Sequence, residues 1–313
     1  MSRSVEHERR NDFYRNVFGD GDEARAVAPP TAKVLDDCCT ALKIQHQIED
    51  IPESDGAKLH WLGDRSAANI ILYFHGGGYG LPALESHVKF MDQCVKHLSS
   101  TEQETVVGFL EYTLTKGSRF PVQLLQATKA LQLVLNKGFL PSRIVVAGDS
   151  AGANLALSLM SHILHPLDGI PVVKFEGALK GLLLISPWVC FNGDNASYEE
   201  NKDRDIVNPT VMKSMADDFV DPAQKTEYSE PIIASSSWWR GMPVESILNV
   251  FGAYELFRDH IATFGRTLEE AELRVENVAC PLHVHIDCIL DAQTGMQPGI
   301  MGITTWKWLE GLS

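Results

Sequence analysis

An α/β fold, with a mostly parallel sheet flanked by helices on both faces, is predicted by three features of this 313-residue sequence. From residue 69 onward, short apolar segments of strand length alternate with amphipathic segments of helix length. Several of the short segments are apolar throughout, as strands buried on both faces are. Two glycine-rich clusters, His75-Gly76-Gly77-Gly78-Tyr79-Gly80 and Gly148-Asp149-Ser150-Ala151-Gly152, each follow directly on such an apolar run.

Residues 1–45 are polar and helix-compatible, with a Gly-Asp-Gly-Asp turn beginning at Gly19 and a break at Pro29-Pro30. Lys43–Ile51 and Lys58–Leu62 read as a hairpin around Glu53-Ser54-Asp55-Gly56. Asn69–Phe74 is a buried strand, Ser86–Leu98 an amphipathic helix and Thr105–Leu110 a strand. Gln123–Lys137 places Leu124, Thr128, Leu131 and Leu135 on one helical face before Gly138 ends it. Arg143–Ala147 is a strand, Ala151–Leu164 a helix and Ala178–Ile185 a strand. Ser246–Phe251 is a further strand, Asp259–Arg274 a helix, Leu282–Ile286 the last strand and Ile300–Leu312 the last helix. The segment 190–242 breaks the rhythm: it is rich in charge, Asn and Ser, has a helix-like stretch at Pro209–Val220 and contains Trp238-Trp239. An insertion of that size between two core strands is expected to form a cap or lid. The expected division is therefore 1–45, a core of 46–189 with 243–313, and the inserted 190–242.

Composition removes several function classes. The 27 Lys and Arg against 41 Asp and Glu leave a net charge of −14, and no basic run exceeds a pair. Phosphate recognition needs a clustered positive field, so no nucleic-acid partner is expected. The longest apolar stretch, around Leu182 to Ile185, falls far short of the roughly 20 residues of a membrane helix, so no transmembrane segment is expected. The opening residues MSRSVEHERRNDFYRN are charged throughout and lack the apolar centre of a secretory signal. A cytoplasmic location is expected. The six cysteines, Cys38, Cys39, Cys94, Cys190, Cys280 and Cys288, contain no CxxC pair and read as reduced, mostly buried thiols.

The strongest chemical signal is Gly148-Asp149-Ser150-Ala151-Gly152 between the strand RIVVA and the helix ANLALSLM. In that context G-x-S-x-G is a nucleophile elbow: small flanking residues permit a tight strand-to-helix turn that lifts the serine hydroxyl clear of the backbone. The helix N-terminus then favours negative charge developing nearby. The competing reading is an ordinary glycine-flanked turn.

The second signal is the loop from His75 to Gly80, where consecutive glycines let backbone N–H groups converge on one point. A phosphate loop or a dinucleotide fingerprint is the alternative, but neither the Gly-Lys-Ser/Thr nor the G-x-G-x-x-G pattern leading into a helix is present.

A serine nucleophile needs a base and an orienting acid, expected in the order serine, acid, histidine. Glu255, at the end of the strand SILNVFGA, is the preferred acid; Asp259 follows one helical turn later, and either is otherwise a solvated acid at a helix start. For the base, His285 is preferred over His283 because it lies nearer the C-terminal end of the expected strand, where residues of parallel sheets converge on a site. His283 is then a packed strand residue. The same His-x-His pair is also a candidate metal pair, but no third ligand follows at a recognisable spacing, so neither metal nor cofactor is expected.

Taken together, HGGGYG, EYTLTKGSRFPVQLLQA, GDSAGANLAL, SPW, GAYELFRD and VHIDCILD resemble the α/β-hydrolases of the hormone-sensitive-lipase family over roughly residues 45 to 313. The resemblance implies an α/β-hydrolase fold, serine esterase activity, and a cap built from the N-terminus and an insertion after the sixth strand, places that 1–45 and 190–242 match. It implies Ser150 as nucleophile, His285 as base, Glu255 as acid, and an oxyanion hole of N–H groups from Gly77, Gly78 and Ala151, with His75 shaping the loop. The sequence departs from the family in two places: Glu255-Leu256-Phe257 stands where Asp-Pro-Leu is commoner, and CPLHVHID replaces a glycine-rich approach to the histidine. A narrower resemblance is to fungal esterases and deacetylases that process acetylated sterols or secondary metabolites.

A carboxylesterase that cleaves a short acyl ester, acetyl by analogy, of a hydrophobic small molecule through an acyl-enzyme is therefore expected. Tyr79, Phe191, Trp238 and Trp239 are the candidates to line the substrate pocket, against the alternative that they pack cap to core. A homodimer is compatible with this reading. The competing enzyme is a biosynthetic catalyst of acyl transfer, lactonisation, elimination or cyclisation on the same fold. The competing non-enzyme is a ligand-binding pseudoenzyme, against which the presence of serine, acid and histidine together counts.

Overall fold

The computed structural model describes residues 4–19 and 26–312; the turn expected from Gly19 lies, beyond Gly19 itself, outside the described residues. One sheet of eight strands organises the chain, in the order β1-β2-β4-β3-β5-β6-β7-β8. The strands are β1 His46–Asp50, β2 Lys58–Leu62, β3 Asn69–Phe74, β4 Thr105–Glu111, β5 Ile144–Asp149, β6 Gly181–Ile185, β7 Ile247–Gly252 and β8 Val275–Cys280. β1 and β2 form the expected antiparallel hairpin and β2 joins β4 antiparallel; every later pairing is parallel.

The apolar runs form strands because both faces of the sheet are covered. Along β3, Ile70, Leu72 and Phe74 enter one core, while Ile71 and Tyr73 enter the other, as the two-residue period of a strand requires. The first core is closed by α4 Val122–Asn136, α5 Ala151–Leu164 and α9 Arg258–Glu270, which supply Leu131, Leu155 and Phe264. The second is closed by α3 Glu85–Ser99, α10 Asp287–Thr294 and α11 Ile300–Glu310, which supply Met91, Leu290 and Trp308. Before the sheet come α1 Val5–Val17 and α2 Thr31–Leu42, and between β6 and β7 come α6 Ala196–Asn201, α7 Pro209–Phe219 and α8 Ser236–Trp239.

Two expectations near the C-terminus are corrected. The eighth strand is Val275–Cys280, and Leu282–Ile286 is a turn leading into α10, with Leu282 and Ile286 at φ 66° and 50°. Val284 and Ile286 are apolar because they are buried at the sheet's C-terminal end, while β8, as an edge strand, is exposed or part-buried up to its last residue, Cys280. The helix expected to run to Arg274 therefore stops at Glu270, and Glu272 takes a left-handed conformation at φ 65° before β8 begins.

Candidate active site

The chain turns from β5 into α5 at Ser150, whose φ of 52° and ψ of −118° are sparsely populated for a residue with a side chain. The two glycines make this turn sterically possible. A Cβ on Gly152 would stand 1.9 Å from the carbonyl oxygen of Phe74, and one on Gly148 would stand 2.4 Å from the backbone of Gly152. The elbow is held from outside as well: the Ser150 N–H donates to Ile185 O at 2.9 Å, and its carbonyl accepts from Trp188 N–H at 3.1 Å.

His285 is delivered by the turn after β8 and Glu255 by the turn after β7. The His285 Nε2 lies 2.9 Å from Ser150 Oγ, and its Nδ1 lies 3.0 Å from Glu255 Oε2. All three are buried, Glu255 completely. The other Glu255 oxygen accepts from Ser186 Oγ at 2.6 Å and from the Gly252 N–H, so the carboxylate is anchored on two sides. Ser186 in turn accepts the Ile286 N–H at 3.1 Å, joining the acid to the turn that carries the histidine. Burial alone lowers the affinity of His285 for a proton; the hydrogen bond and charge of Glu255, with the charges of Asp205 and Asp149, outweigh it and raise the imidazole above its ordinary 6.5.

The alternatives lie elsewhere. Asp259 accepts from Ser197 N–H at 2.9 Å and pairs with Arg258, in the first turn of α9. His283 lies against Asp287, with Nδ1 at 3.4 Å from the carboxylate, on the side of Gly299. Among the described residues, no group of three His, Cys, Asp or Glu side chains is arranged to hold a metal ion, and no helix is long and apolar enough to cross a membrane.

Gly77 and Gly78, at φ 108° and 58°, face Ser150 and His285 across a small cavity of about 60 Å³. Ala151 opens α5, where the first N–H groups have no partner within the helix. The glycine loop is braced by Asp149, which accepts the Gly76 N–H at 2.8 Å and the Tyr73 hydroxyl. His75 is fully buried and stacked on Tyr112 at 4.4 Å; burial pushes its imidazole down to about 3, so it is neutral at physiological pH and serves as scaffold.

The four aromatic candidates do not line this cavity, which corrects the expectation. Tyr79 points into the core, stacked on Phe219 at 3.8 Å with its hydroxyl donating to Asn154 at 2.7 Å. Phe191 packs on Trp188 and borders a separate cavity of about 730 Å³ beyond α7. Trp238 lies on His165 and Trp239 meets Phe264 edge-on, fixing α8 to α5 and α9. These four rings serve burial, and the cavity wall is mainly aliphatic and sulfur-bearing, with a single aromatic ring: Phe18 after α1, then Ile206 and Val207, and Val211, Met212 and Met215 of α7. Ser186 and Asp205 carried no assigned role in the sequence reading, although Ser186 stands in the SPW motif directly after β6.

A serine on a strand-to-helix elbow, backed by histidine and carboxylate from later strand ends of a mostly parallel sheet, defines the α/β-hydrolase class. Residues 71–287 match the family model described as alpha/beta hydrolase fold. The chain belongs to this family. Among curated proteins it is 28% identical over 215 residues to an acetyl-hydrolase of Streptomyces hygroscopicus, covering 67% of this chain and 64% of that protein. It is 26% identical over 223 residues to a carboxylesterase of Mycobacterium tuberculosis, covering 69% and 65%. The match thus spans a little under two thirds of the length of each of these relatives. Among solved structures, an esterase of the bacterial hormone-sensitive lipase family superposes with a TM-score of 0.74 at 20% identity, covering 100% of this chain and 99% of that one. Carboxyl esterase 2 of the mycorrhizal fungus Tuber melanosporum gives 0.71 at 21%, covering 86% and 88%. At these identities the structural likeness is one of fold.

Proposed function

We propose that this chain is a serine carboxylesterase that cleaves short acyl esters of hydrophobic alcohols through an acyl-enzyme. The observation that carries the reading is the continuous chain of hydrogen bonds from Ser150 Oγ through His285 to Glu255 at the elbow. In this mechanism Ser150 attacks the ester carbonyl as His285 Nε2 takes its proton, and the N–H groups of Gly77, Gly78 and Ala151 receive the oxyanion. The tetrahedral intermediate collapses, His285 protonates the leaving alcohol, and the acyl group remains on Ser150. Water, deprotonated by His285, then releases the acid. Glu255 keeps the Nδ1–H tautomer in place and stabilises the imidazolium.

The size and lining of the cavity support a short acyl group. Its volume is about 60 Å³, and Leu81, Met212 and Ile286 make its wall apolar. We read 1–45 and 190–242 as the cap, because Phe18 comes from the first segment and Ile206, Met212 and Met215 from the second. Six free, buried thiols accord with a reducing, cytoplasmic setting.

The test pairs hydrolysis of p-nitrophenyl acetate and octanoate with intact-mass analysis after fluorophosphonate treatment. Wild type is expected to prefer acetate and to gain one adduct. Ser150→Ala is expected to lose the adduct and at least about 10⁴-fold in kcat. Folded wild type with neither turnover nor adduct overturns the reading.

A further inference from the structure

Between α6 and α7, in the segment inserted after β6, Asp205 has no exposed surface, and its carboxylate reaches beyond its own segment. Oδ1 accepts the N–H of His285 at 3.0 Å, and Oδ2 accepts the N–H of Leu256 at 2.7 Å. One side chain therefore bridges the two turns that present base and acid. Asn201, at the end of α6, holds the same peptide unit from its other side: its Nδ2 donates to the Glu255 carbonyl at 2.8 Å. The next residues in the chain, Ile206 and Val207, line the cavity beside Ser150.

We infer that Asp205 is a positioning residue for the hydrolysis proposed above, on which this inference rests: its carboxylate keeps the Glu255 and His285 turns in register and places a second negative charge beside the imidazole. Three backbone N–H groups converge on it, counting that of Ile206 at 2.8 Å. A buried anion is tolerable when its acceptor capacity is filled in this way and a cation forms nearby. During catalysis His285 becomes that cation. The groups facing Asp205 are His285 and Glu255 from the two turns and Tyr198 from α6, while Arg15 of α1 reaches only its backbone carbonyl, at 3.4 Å. Burial raises the Asp205 carboxyl above its ordinary range and Glu255 adds to this, while the charge of His285 opposes it. The acid of the triad thus does not act alone: the imidazolium is shared between a carboxylate on the core and one on the inserted segment. Because the same loop borders the cavity, displacement of Ile206 or Val207 by a substrate also moves the group that spaces acid and base.

Asp205→Asn keeps the shape but removes the charge and one of the two acceptor oxygens. Its kcat is expected to fall about 10- to 100-fold through misplacement of the base, with KM changed by less than about threefold. NMR of ring-labelled histidine is expected to show His285 titrating lower than in wild type by about half a unit or more, since a favourable charge is gone. Wild-type kcat overturns the inference, and so does a reduced kcat with an unmoved His285 titration. Asp205→Glu keeps the charge but shifts it by one methylene, so a near-normal titration with reduced kcat is expected; wild-type kcat there overturns the inference even if Asp205→Asn does not fold. The titration needs no turnover. If wild type proves inactive and unlabelled the esterase reading falls separately, while the His285 shift in Asp205→Asn still decides whether this carboxylate serves the base.

Discussion

Arg10 of α1 is paired with Asp287 in the interior, two residues beyond His285. The same guanidinium also binds Asp291 one helical turn later, and Asp287 accepts the Val284 N–H at 2.9 Å, bracing the turn that presents the base. Removing a partner from a buried ion pair leaves uncompensated charge and costs about 3–5 kcal/mol. Arg10→Met is therefore expected to lower stability by that order in urea unfolding and to reduce kcat with the fold retained. Arg10→Lys restores less than half of the loss, because a single ammonium cannot match the planar fork that reaches both carboxylates. Equal stability of Arg10→Met and wild type would show that the cluster does not hold α1.

The pH profile follows from the His285 environment. The base acts when neutral, so kcat/KM rises as His285 loses its proton, and the raised imidazole places that limb above pH 6.5. Glu255→Gln removes the charge that favours the imidazolium, and the midpoint is expected to move to lower pH while kcat falls. The linkage to stability has the corresponding sign. Because the folded imidazole binds its proton more tightly than the unfolded one, its contribution is full below the unfolded value and is lost as pH rises through the folded value. A limb that does not move in Glu255→Gln would separate Glu255 from the base.

How much of this was legible in the sequence depended on whether the cause was local. The elbow was readable because sterics at Gly148 and Gly152 act over five residues, and β3 to β7 were readable because burial on both faces leaves long apolar runs. β8 was not, since an edge strand such as VENVAC has no such run, while the turn Leu282–Ile286, buried from Val284 onward, imitates one. Asp205 was illegible for a related reason. It stands in the charged stretch NKDRD, where one acid reads like the next, and only the fold shows that this one turns inward. The aromatic residues misled because ring size signals burial without saying against what.

The cysteines yield a simple chemical prediction. All six are free and buried, and burial pushes Cys39, Cys94, Cys190 and Cys280 up to about 12.

 Thiolate is the reactive form, so native protein is expected to react with fewer than about one equivalent of Ellman's reagent at pH 8, and unfolded protein with all six cysteines. Fast reaction of several thiols in the native state would contradict the buried placement.

The last prediction concerns the contact between Met215 and the glycine loop, which sets the size of the cavity. A Cβ on Gly78 would stand 2.2 Å from Met215 Sδ, so the thioether of α7 lies directly against the loop assigned to the oxyanion. Met215→Ala removes this wall. It is expected to enlarge the cavity, to cost about 2–5 kcal/mol of stability as large-to-small core changes do, and to raise the kcat/KM ratio of octanoate to acetate. Gly78→Ala is expected to lower kcat for two independent reasons: the collision with Met215, and a φ of 58° that an L side chain rarely adopts. The double variant separates them. Met215→Ala relieves the collision but not the backbone strain, so Gly78→Ala should cost less in the Met215→Ala background than in wild type, yet still cost something. Strict additivity of the two changes, read from kcat/KM for acetate, would mean that Met215 does not bear on the loop and that the cavity is bounded by other residues.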